Sequence, residues 1–266
     1  MSDFLQKLRE NYESVEGRIQ RACERAFRDR SEVTLVAVTK YAKWEWVEAL
    51  FELGQRDFGE NRPQQFLERA PLLSSFARWH LIGHLQSNKA KSVVTYATQF
   101  DSVDPLQIHS IDSLKLLELI DRLAAEFQTQ KMPPKKENSP GFMPDLIADS
   151  LQLRPNLLLE INVTGEATKY GFTPDELRSQ WDAVLRCQHI SIRGLMTMAM
   201  ASDDPDTARP AFRALRDLRD ELQTRSPYGK HPITELSMGM TGDFEVAIEE
   251  GATFVRIGSA LFEGLD

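Results

Sequence analysis

The sequence predicts an α/β protein folded as one (β/α)8 TIM barrel. Two observations carry that prediction. Eight apolar, strand-like runs alternate with helical patterns, and the 266 residues suit a fold for which about 250 is typical. A third observation argues against an open doubly wound sheet. The first strand-to-helix turn of that fold carries a Gly-rich fingerprint, whereas here it reads TKYAK, with no GxGxxG.

The chain opens on MSDFLQKLRENYESVEGRIQRACERAF. Its Leu5, Leu8, Tyr12, Val15, Ile19 and Ala22 fall on one face of a helix, and its charges exclude a signal peptide. The first strand spans 33–39, followed by a helix over about 43–54. RDFGE (56–60) is the second strand, with a helix through NRPQQFLERA behind it. RWHLIG (78–83) is the third, before a helical NKAKSVVTYA. QFDSV (99–103) reads as the fourth, leading into a strong helix at 110–127. NLLLEINV (156–163) and ISIRGLMTM (190–198) are the fifth and sixth, with helices at 173–187 and 206–224. TELSMG (234–239) and TFVRIGS (253–259) complete the set, with a helix at 242–250 between them and a last half-turn at 259–264. QTQKMPPKKENSPGFMPD (128–145), rich in Pro and Lys, reads as an exposed insertion. One domain over 1–266 is expected, with no second domain and no repeat.

Composition narrows the function. A net charge of −8 argues against a nucleic-acid or anionic-membrane surface, and no apolar run approaches the roughly 20 residues of a bilayer span. The only cysteines, Cys23 and Cys187, lie far apart, which disfavours a disulfide framework or a zinc site and makes a cytoplasmic home the default. His80 and His84 lack the partners that a metal would want.

In such a barrel the chemistry gathers where strands end. Those ends carry Lys40; Gly59-Glu60-Asn61; His80 and His84; Asp101 or Asp104; Asn162 and Thr164; Met196 and Met198; Ser237 and Gly239; and Arg256, Gly258 and Ser259. The last two loops, SMGMTGD and RIGSALFEG, combine glycines and hydroxyls just before a helix. That is the usual phosphate site of the fold, although Ser237, Thr241 and Ser259 could equally cap helices.

Lys40 closes the apolar run LVAV. A buried amine of depressed pKa beside a phosphate cradle suits Schiff-base chemistry, either with pyridoxal phosphate or as a cofactor-free sugar-phosphate aldolase. Arg256, at the end of strand eight, stands where a pyridine nitrogen could fall. Tyr41, a strand neighbour of Lys40, is expected to point to the opposite face.

The segments LVAVTK, GQRDFGENRPQ, WHLIGHLQSNKAK, LLLEINVTGEATKYGF, IRGLMTMA and ELSMGMTGDFEVAIEEGATFVRIGSALF resemble, in order, the pyridoxal-phosphate homeostasis proteins. These are fold-type III barrels related to the amino-terminal domain of alanine racemase. The resemblance implies that Lys40 holds pyridoxal 5'-phosphate as a Schiff base, with Asn61 beside the ring and Arg256 at its nitrogen. It also implies that Ser237, Gly258 and Ser259 hold the phosphate, with His80, Met198 and Gly239 lining the site. Thr241 replaces the family's usual serine, and Ser259 its common threonine.

The resemblance further implies a role in cofactor storage or delivery, with apo-enzymes as recipients and without strong turnover. The alternative is a racemase-like enzyme, which needs a second acid/base that the expected single domain does not offer. A monomer is expected.

Overall fold

The computed structural model describes residues 3–99, 106–131, 154–166, 169–200, 202–227 and 230–265. A leading helix, α1 (Asp3–Arg25), buries Leu8, Val15, Ile19 and Ala22, the face that the periodicity assigned to it. Eight strands follow, each trailed by a helix: β1 (Thr34–Val38), α2 (Trp44–Glu52), β2 (Asp57–Glu60), α3 (Pro63–Arg69), β3 (Arg78–Leu81) and α4 (Ser87–Gln99). Next come β4 (Gln107–Ile111), α5 (Leu114–Lys131), β5 (Asn156–Glu160), α6 (Pro174–Val184), β6 (Ser191–Met196) and α7 (Arg209–Arg225). The chain finishes with β7 (Glu235–Ser237), α8 (Phe244–Glu249), β8 (Phe254–Ile257) and α9 (Ser259–Phe262).

The strands close into a barrel in sequence order. Every pairing is parallel, and β8 seals onto β1 through Leu35 opposite Val255 and Ala37 opposite Ile257. Parallel strands are covered on both faces, so they read as continuous apolar runs. Leu35, Ala37, Val255 and Ile257 face the helices in one hydrophobic core with Trp46, Leu50 and Ile248. Each such buried Leu, Val or Ile side chain contributes about 1.5–3 kcal/mol. Local signals set several boundaries: α6 begins at a capping box in which Thr173 and Glu176 satisfy each other's backbone N–H groups, with Pro174 in the first turn.

The fourth strand departs from expectation. It lies at Gln107–Ile111, running two residues into the stretch expected as helix, and α5 begins only at Leu114. The expected strand at 99–103, with Asp101 and Asp104, lies outside the described residues apart from the end of α4. The physical reason is that β4 reads Gln-Ile-His-Ser-Ile, with its polar members buried. The insertion expected at 128–145 overlaps the end of α5, and its remainder lies outside the described residues. Among the described residues, no helix is long and apolar enough to cross a membrane.

Candidate functional site

At the carboxyl ends of the strands, β1 stops at Val38 and Lys40 sits two residues beyond it, in a turn. Lys40 is therefore half-buried, not buried as the apolar run led one to expect. The turn is held from α3. Gln65 Nε2 donates to the Lys40 carbonyl at 3.1 Å, and Arg69 donates to the carbonyls of Thr39 (2.8 Å) and Ala42 (2.9 Å). Tyr41 corrects another expectation. In a turn the strand alternation no longer applies, and Lys40 Nζ lies 5.2 Å from the centroid of the Tyr41 ring.

Asn61 follows β2 and is exposed. A side chain at Gly83 would collide with the carbonyl and amide of Asn61, so the glycine lets the loops after β2 and β3 meet. Across β1 from Asn61, Gly258 follows β8. Its α-carbon lies so close to β1 that an added methyl would stand 3.3 Å from Val38 Cβ and from the Val38 carbonyl. Ser259, next in sequence, donates to Thr241 Oγ1 at 3.0 Å and so ties the loops after β7 and β8 together. Gly239 turns out of β7 at φ +92°, and its carbonyl accepts the backbone N–H of Arg256 at 3.0 Å.

Arg256 is buried in the barrel mouth. It donates to Ser237 Oγ at 2.6 Å and to the Thr197 carbonyl at 3.0 Å. Burial pulls its pKa down to about 10, opposed by Glu160 and Asp243. Glu160, ending β5, is pushed up to about 7 by burial and by Asp112, with Arg256 opposing. Ser237 is wholly buried, and its hydroxyl is committed to Arg256 and to His109.

Lys40, Asn61, Gly258 and Ser259 thus come from the adjoining ends of β8, β1 and β2, with Arg256 set into the barrel and Ser237 beneath it. His80 and His84 diverge: His80 bonds Asp57 and His109 inside the barrel, while His84 pairs with Asp112 at 3.0 Å and stacks on Tyr170. Asn162 and Lys169 brace the loop after β5 through the Glu166 carbonyl and carboxylate respectively. Sequence reasoning missed Gln65, Arg69, His109 and Asp243. A correctly placed fourth strand would have exposed His109; Gln65 and Arg69 carry no motif.

The arrangement offers one primary amine, a buried cationic donor, and a cradle of glycine backbone with two hydroxyls. Over residues 5–266 the chain matches the family model described as alanine racemase, N-terminal domain. A pyridoxal phosphate homeostasis protein of Aquifex aeolicus is 37% identical over 246 residues, with 92% of each chain covered. The structure of PipY from Synechococcus elongatus with PLP bound is 31% identical at a TM-score of 0.71, covering 96% of this chain and 99% of its own. An alanine racemase of Bartonella henselae, 12% identical at a TM-score of 0.64, shares the fold; 97% of this chain and 58% of that one are covered. The chain belongs to the alanine racemase N-terminal domain family and, within it, to the pyridoxal phosphate homeostasis proteins.

Proposed function

We propose that this chain binds pyridoxal 5'-phosphate covalently through Lys40 and serves in its homeostasis, storing or handing on the cofactor without strong turnover. The observation that carries this reading is the packing of Gly258 against Val38. It sets the glycine and hydroxyl cradle of β8 flush against the strand that delivers Lys40. When bound, the cofactor supplies an aldehyde that condenses with a primary amine, losing water, and a phosphate that needs anion-binding groups.

The residues fit each part. Lys40 supplies the amine from a turn fixed at three carbonyls. Arg256, cationic at neutral pH, can donate a hydrogen bond to the ring nitrogen but not a proton, which favours holding the cofactor over carbanion chemistry. Asn61 would stand beside the ring. The backbone at Gly258 and the hydroxyls of Ser259 and Thr241 would take the phosphate, while the committed hydroxyl of Ser237 would serve the site by steadying Arg256. PipY, solved with PLP bound, supports the same reading. Apo-enzyme recipients, a monomeric state and a cytoplasmic location complete the proposal.

The test is an absorbance spectrum of the protein with added cofactor beside Lys40→Ala, before and after borohydride reduction. A visible band in wild type alone, with the reduced adduct mapped to Lys40, is expected. A wild type that takes up no cofactor overturns the reading. One observation favours a second reading, a racemase-like enzyme: Glu160, poised near neutrality beside Arg256, could serve as an acid/base. Steady amino-acid turnover lost in Glu160→Gln would establish that alternative.

A further inference from the structure

His109 on β4 bonds Ser237 on β7, and these strands are not neighbours in the barrel. The contact therefore crosses the interior, and it is one link of a longer chain. Arg78 at the start of β3 grips the Asp57 carboxylate with two N–H groups, one at 2.8 Å. Asp57 Oδ1 lies 3.0 Å from His80 Nε2, and His80 Nδ1 lies 3.0 Å from His109 Nε2. His109 Nδ1 lies 2.8 Å from Ser237 Oγ, which accepts from Arg256. Phe254 packs against both imidazoles, at 5.5 and 5.6 Å between ring centroids.

We propose that Asp57, His80 and His109 form a one-way hydrogen-bond relay that keeps Ser237 as the acceptor for Arg256, which makes them positioning residues for the guanidinium at the mouth. The purpose assigned to that guanidinium rests on the cofactor reading; the relay itself does not.

The direction follows from counting hydrogens. A neutral imidazole has one donor and one acceptor. The carboxylate of Asp57, held by Arg78, can only accept, so His80 carries its hydrogen on Nε2. Its bare Nδ1 then accepts from His109 Nε2, and the bare Nδ1 of His109 accepts from the Ser237 hydroxyl. The Ser237 lone pairs are left for Arg256. The opposite direction requires an imidazolium at His80 and two donors converging on Ser237. The serine hydrogen would then have no acceptor, since Ser237 Oγ has only these two partners among the described residues. Two pKa directions agree with the neutral chain. Burial, reinforced by the Arg256 guanidinium, holds His109 well below the usual imidazole range. Burial alone would raise Asp57, but hydrogen bonds from His80 and Arg78 overcome it and keep the carboxyl below its ordinary value.

Two measurements on the full chain test this. The first is the nitrogen spectrum of ¹⁵N-histidine-labelled protein at neutral pH, without cofactor. His80 and His109 are both expected with hydrogen on Nε2 and a bare Nδ1; hydrogen on His109 Nδ1 overturns the relay. The second is pyridoxal phosphate titration of His109→Leu and His109→Asn. The amide oxygen of the asparagine variant can accept from Ser237, so that protein is expected to bind within about twofold of wild type. The leucine variant strands the serine hydrogen and is expected to bind about tenfold more weakly. Equal affinities overturn the positioning role. Should wild type take up no cofactor, the cofactor reading fails, and the tautomers alone still decide the relay.

Discussion

Glu60 on β2 is wholly buried and ion-paired to Arg69 of α3 at 2.8 Å. The same guanidinium holds the carbonyls on either side of the Lys40–Tyr41 turn. The Thr39 hydroxyl joins them by donating to Glu60 at 2.7 Å. The loop that presents the amine is therefore clamped to β2 and α3 through a buried ion pair.

Removing one partner of a buried pair leaves a charge without compensation, which costs about 3–5 kcal/mol. Arg69→Ala is expected to lose about 3 kcal/mol in urea unfolding, the lower end of that range, because Arg69 keeps some contact with solvent. It should also slow cofactor uptake by freeing the Lys40 turn. Arg69→Lys keeps the charge but loses the planar fork, so it should fall between the two. Unchanged stability in the alanine variant would mean that the clamp contributes nothing.

Gly239 gives a second prediction. At φ +92° a side chain is strained, and an added methyl would stand 2.6 Å from Ala247 Cβ and 2.9 Å from Phe244 Cα. Gly239→Ala should cost about 1–3 kcal/mol and disturb Arg256, whose backbone N–H the Gly239 carbonyl accepts. Gly242→Ala, with nothing within 4 Å of the new methyl, is the control and should stay within about 0.5 kcal/mol. Equal unfolding midpoints would show that the loop after β7 tolerates a side chain.

What was legible in the sequence follows from which side chains face which environment. β1 and β5 lie between helices and barrel interior, so they read as plain apolar runs, and the rims after β7 and β8 announced themselves in glycines and hydroxyls. β4 was lost because Gln107 and His109 serve a polar interior, which breaks the run that marks a parallel strand. The Tyr41 placement failed for a different reason: alternation was extended past Val38, where the strand had already ended. Gln65 and Arg69 could not be read at all, since the backbone carbonyls they hold, and the Glu60 carboxylate that pairs with Arg69, leave no pattern along the chain.

The two cysteines supply a third prediction. Both are free and buried. Burial raises the Cys23 thiol and pushes Cys187 up to about 12, with Asp121 and Glu118 adding to the shift. The thiolate is the reactive species, so neither should react with a maleimide in the folded protein at mildly alkaline pH. Both should label fully in denaturant. Labelling of the native protein at the rate of a free thiol would contradict the packing at those sites.

Glu160 makes the pH dependence of stability testable. The residue is only 5% exposed, and its carboxyl is pushed up to about 7 in the fold by burial and by Asp112, with Arg256 opposing. An unfolded glutamate titrates at about 4.3. As pH rises between those values, the unfolded chain gives up this proton while the folded protein keeps it. The unfolded state then binds fewer protons, so this residue makes the fold progressively less stable across the window and the effect levels off above about 7. His231, drawn down to about 4 chiefly by burial, acts oppositely, losing stability as pH falls below the ordinary histidine range. That contribution is common to wild type and to Glu160→Gln, so it cancels in their difference. The stability of the variant minus that of wild type should therefore climb as pH rises through the window, by roughly 4 kcal/mol in all, and then stay flat. Urea unfolding of both proteins across the range measures it directly. A difference that does not change with pH would mean that Glu160 is already ionised in the fold, paired more closely with Arg256 than its burial implies.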